Sequence, residues 1–335
     1  MREPPKAPDV SGTLVAVGVL QTLIYLVFIR SIDLYEREPL RYIIPVFIWG
    51  FSVAVVLSLV FNALFAFTLT SVAGAGIADF LTVVVGAPVI EESSKGLALL
   101  IVFAVSYYFA RRRGAIEFSG VMDGIVYGSA VGFGFSIAED IFYYAQFGSE
   151  TFVVRRIFGG FAHAAFTALI GIGIGLIPWV RSMFLKISLP ILGLLGAMLL
   201  HAVFNFLATL FGVVAYVFLF LVVLAYIVLI VVWLSVERRA IREELREEVA
   251  SGLISAEEHA VLPTYFRRKG RYIGHIFSGR ISVWLAERKS HNAAVDLALA
   301  KRASRGRWTN SQAERIHALR ARISARKPSA TRSAN

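Results

Sequence analysis

GVVAYVFLFLVVLAYIVLIVVWL fills residues 212–234 without one charged side chain. A helix rises about 1.5 Å per residue, so about 20 apolar residues cross the ~30 Å hydrocarbon layer of a bilayer. This stretch reads as a transmembrane helix, and TLVAVGVLQTLIYLVFI (13–29) reads the same way. The rest of the chain agrees: 57% of its 335 residues are hydrophobic and its mean hydropathy is +0.69, above the range of soluble globular chains. Apolar runs and charged breaks predict seven spans, near 12–30, 42–69, 80–110, 120–145, 158–179, 187–209 and 212–235. The first is read as a span, not a cleaved leader, because Arg30 rather than a small-residue cleavage site closes it. The expected fold class is all-α: a polytopic transmembrane helix bundle with a small helical cytoplasmic C-terminal appendage.

Charge divides the chain. Residues 1–236 hold 13 Lys/Arg and 13 Asp/Glu, whereas residues 237–335 hold 21 and 10, so the net charge of +11 belongs to the tail. The expected domains are therefore a transmembrane domain, 1–236, and a basic helical cytoplasmic tail, 237–335, disordered at its end. Basic residues favour cytoplasmic loops. Arg30, Arg37 and Arg41 follow the first span, Arg111–Arg113 the third, and Arg181 with Lys186 the fifth; loops 70–79 and 208–213 have none. This predicts a multi-pass cell-membrane protein with its N-terminus outside and its C-terminus cytoplasmic, Arg155 and Arg156 being the dissonant pair. There is no cysteine, which excludes disulfide and thiolate chemistry.

The spans contain polar residues that a bilayer penalises. A charge at the centre of a spanning helix costs about 2.5–3.5 kcal/mol on insertion scales, and such residues mark function by default. The third span carries Glu91, Glu92 and Lys95, the fourth Asp123 and Glu139–Asp140, the fifth His163, and the sixth His201 with Asn205. Lys95 lies four residues from Glu91 and three from Glu92, within reach of either on one helix face. His163 shares a face with Thr167, and His201 with Asn205. Four helices of alternating direction place these residues at one depth, in the outer half of the bilayer. Asp123 lies nearer the cytoplasmic end, where an interfacial or loop-capping role is expected. Pro88, in GAPVIEE (86–92), predicts a kinked or re-entrant backbone over 77–88. Gly128-x-x-x-Gly132 and Gly171-x-x-x-Gly175 predict close helix packing.

Peptide hydrolysis needs an activated water, a proton shuttle and a group that stabilises the oxyanion. One of the adjacent glutamates can serve as general base. The two histidines can ligate a metal, or bind the oxyanion and move a proton, and Asn205 can donate to the oxyanion. A catalytic zinc takes about three protein ligands and a water; His163, His201 and a carboxylate, Glu139 or one of the Glu91–Glu92 pair, would suffice. H-E-x-x-H is absent, so the residues leave metal dependence open. A proton-coupled transporter or channel is the alternative, since an acid–histidine layer also suits a proton relay, but the spans show no inverted repeat.

EESSK (91–95), DGIVYGSAVGFGFSIAEDIFYY (123–144), HAAFTALIGIGIG (163–175) and HAVFN (201–205) together resemble the PrsW family of intramembrane proteases. More distantly the chain looks like the CAAX prenyl protease and bacteriocin-processing membrane proteases. The resemblance implies a glutamate-dependent endopeptidase in which Glu91 and Glu92 form the catalytic acid pair, supported by Lys95, with Glu139, His163, His201 and Asn205 completing the site. It also implies a single-span membrane protein substrate, cut near the extracytoplasmic side, in the manner of the first cleavage of an anti-sigma factor. Asp140 departs from the pattern, which would place a neutral amide there.

The tail has its own signals. Ser255-x-x-Glu258 and Ser311-x-x-Glu314 read as capping boxes. Val295 with Leu299, then Ile316, Leu319 and Ile323, form apolar stripes at helical spacing. Arg242, Glu243, Arg246 and Glu247, one turn apart, mark a solvated helix, Ser255 starts another, and a small helical appendage is expected over about 275–326. Its charge suits the anionic inner leaflet, at about 1 kcal/mol per basic residue near the surface. Trp284 and Trp308 lie among arginines, but no nucleic-acid motif accompanies them, and an anionic lipid surface is the expected partner.

Overall fold

A computed structural model describes residues 12–36, 38–113, 116–147, 149–304 and 310–325. Arg37 and Trp308 lie outside these residues, as do the side chains of Arg111–Arg113, Arg155, Arg156 and Ser311. Every regular element among the described residues is helical. Among the described residues, six helices are long and apolar enough to cross a membrane: Leu40–Ala73, Ala75–Ala110, Val121–Tyr144, Gly159–Trp179, Met183–Phe211 and Val213–Ala250. The first of the seven expected spans, 12–30, is helical as α1 (Gly12–Ile32), but its apolar stretch, Ala16–Ile32, is shorter than those six, so six spans rather than seven meet the length. The chain divides into two compact units, one running to Ile230 without 34–37 and 110–115, the other holding those segments and everything from Val231.

The second and third spans are each built from two α-helical pieces joined by a π turn. Gly50–Ala54 joins α2 (Leu40–Trp49) to α3 (Val55–Ala73), and Thr82–Gly86 joins α4 (Ala75–Leu81) to α5 (Ala87–Arg113). The second π turn answers the expectation for Pro88. The chain stays helical through 77–88 instead of becoming re-entrant, and the proline is absorbed by one extra residue in the preceding turn.

The fourth span, α6 (Val121–Phe147), is the centre of the first unit and is buried almost throughout. Its main partner is α7 (Ser149–Gly175). A Cβ on Gly128 would stand 2.6 Å from Ala168 Cα, and one on Gly132 would collide with the His163 carbonyl. The small-residue spacing thus lets two backbones touch, and that contact fixes where α7 presents His163. An aromatic cluster of Tyr25, Phe28, Phe133 and Phe161 seals α1 against the same pair. By contrast α8 (Met183–Phe211) and α9 (Val213–Glu244) expose long apolar faces, with Leu192, Leu199, Val217 and Phe220 all outward, as lipid-facing helices do.

The second unit is a helical assembly with its own core. Ile241, Leu245, Ile254 and Leu262 pack with Val295, Leu297, Ile316, Leu319 and Ile323, so the expected stripes are core positions. Helical structure begins well before 275, with α10 (Arg246–Ala250), α11 (Ala256–Val261) and α12 (Tyr265–Phe277), followed by α13 (Ile281–Ser304) and α14 (Asn310–Ser324). Ser255 and Glu258 form the expected capping box. Glu248 is buried between Lys301 at 2.9 Å and Arg320 at 2.7 Å. At its other end Tyr35 donates to the Pro263 carbonyl and Arg268 to that of Leu34.

Candidate active site

The residues singled out in four spans converge. Lys95, with no exposed surface, is the hub. Its ammonium lies 2.7 Å from Glu92 Oε1, 3.5 Å from Glu91 Oε2 and 3.1 Å from His163 Nδ1, and sits 3.9 Å from the Phe135 ring centroid. One cation thus faces two carboxylates, an imidazole and an aromatic face, all desolvated, where such contacts are strong.

Glu91 and Glu92 differ sharply. Glu92 is fully buried and its carboxylate is occupied: it accepts from Lys95, from Thr167 Oγ1 at 3.1 Å and from His201 Nδ1 at 3.0 Å. An ionised carboxylate only accepts, so the proton of His201 resides on Nδ1 and its Nε2 lone pair is left pointing elsewhere. Glu91 is the opposite case. Its Oε2 is buried but accepts no hydrogen bond among the described residues, lies 4.0 Å from His201 Nε2, and faces a cavity. Adjacent helical residues point about 100° apart, which is why one acid serves the scaffold and its neighbour the cavity.

His163 is held at both ring nitrogens. Lys95 donates to Nδ1, which places the ring proton on Nε2, and Nε2 donates to Glu139 Oε2 at 2.7 Å. Phe166 stacks on His201 with ring centroids 5.4 Å apart, and the two imidazoles are 5.5 Å apart. The cavity, about 340 Å³, is lined by Glu91, Glu139, His163, His201, Asn205 and Tyr143 among others.

Asn205 reaches the site through the backbone. In the π turn the Ala87 N–H bonds to the Thr82 carbonyl, five residues back. In that register the Val83 carbonyl would take its proton from residue 88, and Pro88 has none to give. Asn205 Nδ2 supplies it at 2.8 Å. The second N–H of the amide is not used in this bond.

All seven expected catalytic residues, Glu91, Glu92, Lys95, Glu139, His163, His201 and Asn205, therefore belong to one connected site. Thr167 was noted in the sequence as a face-mate of His163 but not as a site residue; its signal was that spacing of four. Phe135 carried no signal. Asp123 caps a loop as expected, its Oδ2 accepting from the Ser119 N–H at 2.7 Å. It stands near Asp33 and Glu38, and the Glu38 carboxylate accepts a hydrogen bond from the Tyr127 hydroxyl.

A metal fits the residues present. Glu91, His163 and His201 offer one oxygen and two nitrogens, all within 4.8 Å of one another, the donor composition of a catalytic zinc site. The Glu91 oxygen without a hydrogen bond is a donor that such an ion would satisfy. Glu139, the carboxylate grouped with the histidines from sequence, instead hydrogen-bonds to His163, as an orienting partner does.

Comparison with known proteins bears on the same residues. The chain is 28% identical to Protease PrsW of Geobacillus kaustophilus over 163 residues, 49% of this chain and 66% of that relative. It is 29% identical to Protease PrsW of Shouchella clausii over 206 residues, 61% of this chain and 86% of the relative. Protease PrsW of Bacillus subtilis is 25% identical over 196 residues, 58% and 83% of the two chains. No solved structure matches. The sequence model of the PrsW family intramembrane metalloprotease matches residues 38–233, which contain every residue of the site just described. The chain is a multi-pass membrane protein and belongs to the PrsW family of intramembrane metalloproteases.

Proposed function

We propose that the chain is an endopeptidase that hydrolyses a membrane-anchored, single-span protein substrate, with Glu91, Glu92, Lys95, Glu139, His163, His201 and Asn205 as its machinery. One observation carries the reading: carboxylates and imidazoles from four spans meet at a single cavity of about 340 Å³. Glu91, His163 and His201 would hold the metal. A divalent cation bound there supplies a polarised, readily deprotonated water. The chain's own residues do the rest. Glu92 holds His201 in the tautomer whose Nε2 lone pair is free to ligate. Lys95 balances the carboxylates and fixes the His163 ring. Glu139, at the cavity wall on His163 Nε2, takes a proton from the attacking water and returns it to the leaving amine. The unused N–H of Asn205 donates to the oxyanion. For His163 to ligate, one of its present ring contacts must yield.

The loop charges support an N-terminus outside and a cytoplasmic C-terminus, which puts the cavity in the outer half of the bilayer. That location suits a first cleavage on the extracytoplasmic side, and an anti-sigma factor is the substrate class we infer. Residues 1–236 carry this chemistry, and the basic tail, 237–335, faces an anionic lipid surface. The test is co-expression of candidate single-span substrates with wild type, Glu91→Ala, Glu139→Ala and His201→Ala. Cleavage surviving all three changes would sink the assignment. Metal content of purified protein, read by mass spectrometry, is expected near one zinc per chain and near zero in His201→Ala.

A further inference from the structure

Helix α12 presents an apolar face that no described residue covers. Arg268 and Tyr272 on one side are buried, and this side packs on α13 through Tyr272–His291 at 2.9 Å, His275–Glu287 at 2.9 Å and Arg271–Glu287 at 3.0 Å. The opposite side carries Phe266, Ile273 and Phe277, which are 81%, 51% and 87% exposed. These lie at i, i+7 and i+11, one stripe of a helix. Beyond the Ser278–Arg280 turn, α13 opens with Ile281 and Leu285, also exposed. Two phenylalanines left almost wholly in water are unusual, since a soluble unit gains by covering such side chains.

The charge around this face identifies what covers it. Tyr265 to Leu285 contains five Lys/Arg and no Asp/Glu. Arg267 flanks the stripe on one side and Lys269 on the other, and Arg280 is exposed at the turn. An apolar stripe with basic flanks and little acidic charge is the composition of a helix that lies in the headgroup layer of an anionic membrane. The unit is also continuous in chain with the apolar helix Val213–Ala250, so a bilayer is always within its reach.

We propose that the α12–α13 hairpin is an interfacial membrane anchor. Phe266, Ile273, Phe277 and Ile281 insert among acyl chains, and Arg267, Lys269 and Arg280 contact lipid phosphates. The proposal rests on the reading that the tail faces anionic lipid, and it adds which element inserts; it is independent of the protease assignment.

The absence of cysteine makes the test direct, because a single introduced thiol is the only label site. Full-length protein bearing Ser278→Cys, or Glu314→Cys as the reference position, is labelled with an environment-sensitive fluorophore. It is then reconstituted in nanodiscs of phosphatidylcholine with or without phosphatidylserine and spin-labelled lipid quencher. The expected result is blue-shifted, quenched emission at position 278 in anionic discs, no quenching at 314, and reversal by molar salt. Adding Phe266→Ser with Phe277→Ser should bring quenching at 278 down to the reference level. Equal quenching at 278 and 314 would leave the charged tail on lipid but overturn insertion of the hairpin. Quenching at neither position would overturn both. Equal quenching in neutral and anionic discs would overturn the proposed anionic surface. Self-quenching that appears only with two labelled copies per disc would assign the face to a second copy and also overturn the proposal.

Discussion

Replacing Lys95 with methionine should unfold the first unit more readily than any other single change in the site. Among the described residues the ammonium is the only Lys or Arg cation beside the fully buried Glu92, at 2.7 Å, and it also approaches Glu91 at 3.5 Å. Methionine fills similar space but leaves Glu92 charged and without its counter-ion. Breaking a buried pair this way costs about 3–5 kcal/mol, because the orphaned charge keeps its full desolvation penalty. The loss over the Phe135 face adds about 0.5–2 kcal/mol. The informative variant is the double one, Glu92→Gln with Lys95→Met. A neutral amide can keep both contacts, its oxygen accepting from His201 Nδ1 and its NH2 donating to the Thr167 hydroxyl, and no unpaired charge remains. The double variant should recover to within about 1–2 kcal/mol of wild type, since apolar or neutral replacement of a whole buried pair is often nearly free. Helicity followed through a graded denaturing-detergent titration in mixed micelles gives each stability. A double variant no more stable than Lys95→Met, or a Lys95→Met variant within about 0.5 kcal/mol of wild type, would refute the ion pair as the brace of the site.

Glu91→Gln should have the reverse profile: unfolding within about 0.5 kcal/mol of wild type, because Oε2 accepts no hydrogen bond, but cleavage reduced by about 100-fold or more. A well-folded Glu91→Gln that cleaves normally would remove Glu91 from the chemistry. Asn205→Ala strands the Val83 carbonyl and should cost about 1–3 kcal/mol; adding Pro88→Ala restores an N–H in the π register and should return most of that stability though not activity. No rescue would show that the amide matters for another reason. In the tail, burial pushes His291 down to about 4 from 6.5. Above pH 6.5 the histidine is neutral folded or unfolded; as pH falls toward 4 only the unfolded chain takes up the proton. The unit should therefore lose up to about 3 kcal/mol over that window. Urea titrations at several pH values, read by the label at Ser278→Cys, measure the loss, and an unchanged slope in His291→Gln would refute it.

Most of the span layout and the membership of the site were legible in the sequence, for a physical reason. Lipid tolerates few polar residues, so Glu91, Glu92, Lys95, Glu139, His163 and His201 stand out against apolar runs. The division of labour between Glu91 and Glu92 was not legible. It depends on which of two faces 100° apart meets Lys95 and His201, a property of packing rather than spacing. The π turns were hidden for a similar reason, since one extra residue in a turn leaves composition unchanged; Pro88 signalled a disturbance but not its form. Asn205 was singled out by its spacing from His201 and lines the cavity, while its bond to Val83 could not be foreseen without that form. In the tail, charges one turn apart over 237–248 signalled a helix, but one read as solvated, and they gave no sign that Glu248 is buried between Lys301 and Arg320.

The contact of α6 with α7 has a mechanical consequence. Gly128 and Gly132 leave no side-chain layer between those helices, so there is nothing compressible to take up a displacement. The two act as one stiff beam. Glu139 on α6 and His163 on α7 are mounted on it together, so their 2.7 Å contact moves as a unit. The same device recurs on the other side of α7, where Gly173 meets the Leu189 carbonyl and Gly193 that of Leu169, so α8, which carries His201 and Asn205, is keyed to the beam as well. Alignment of the site is thus carried by backbone against backbone rather than by deformable side chains.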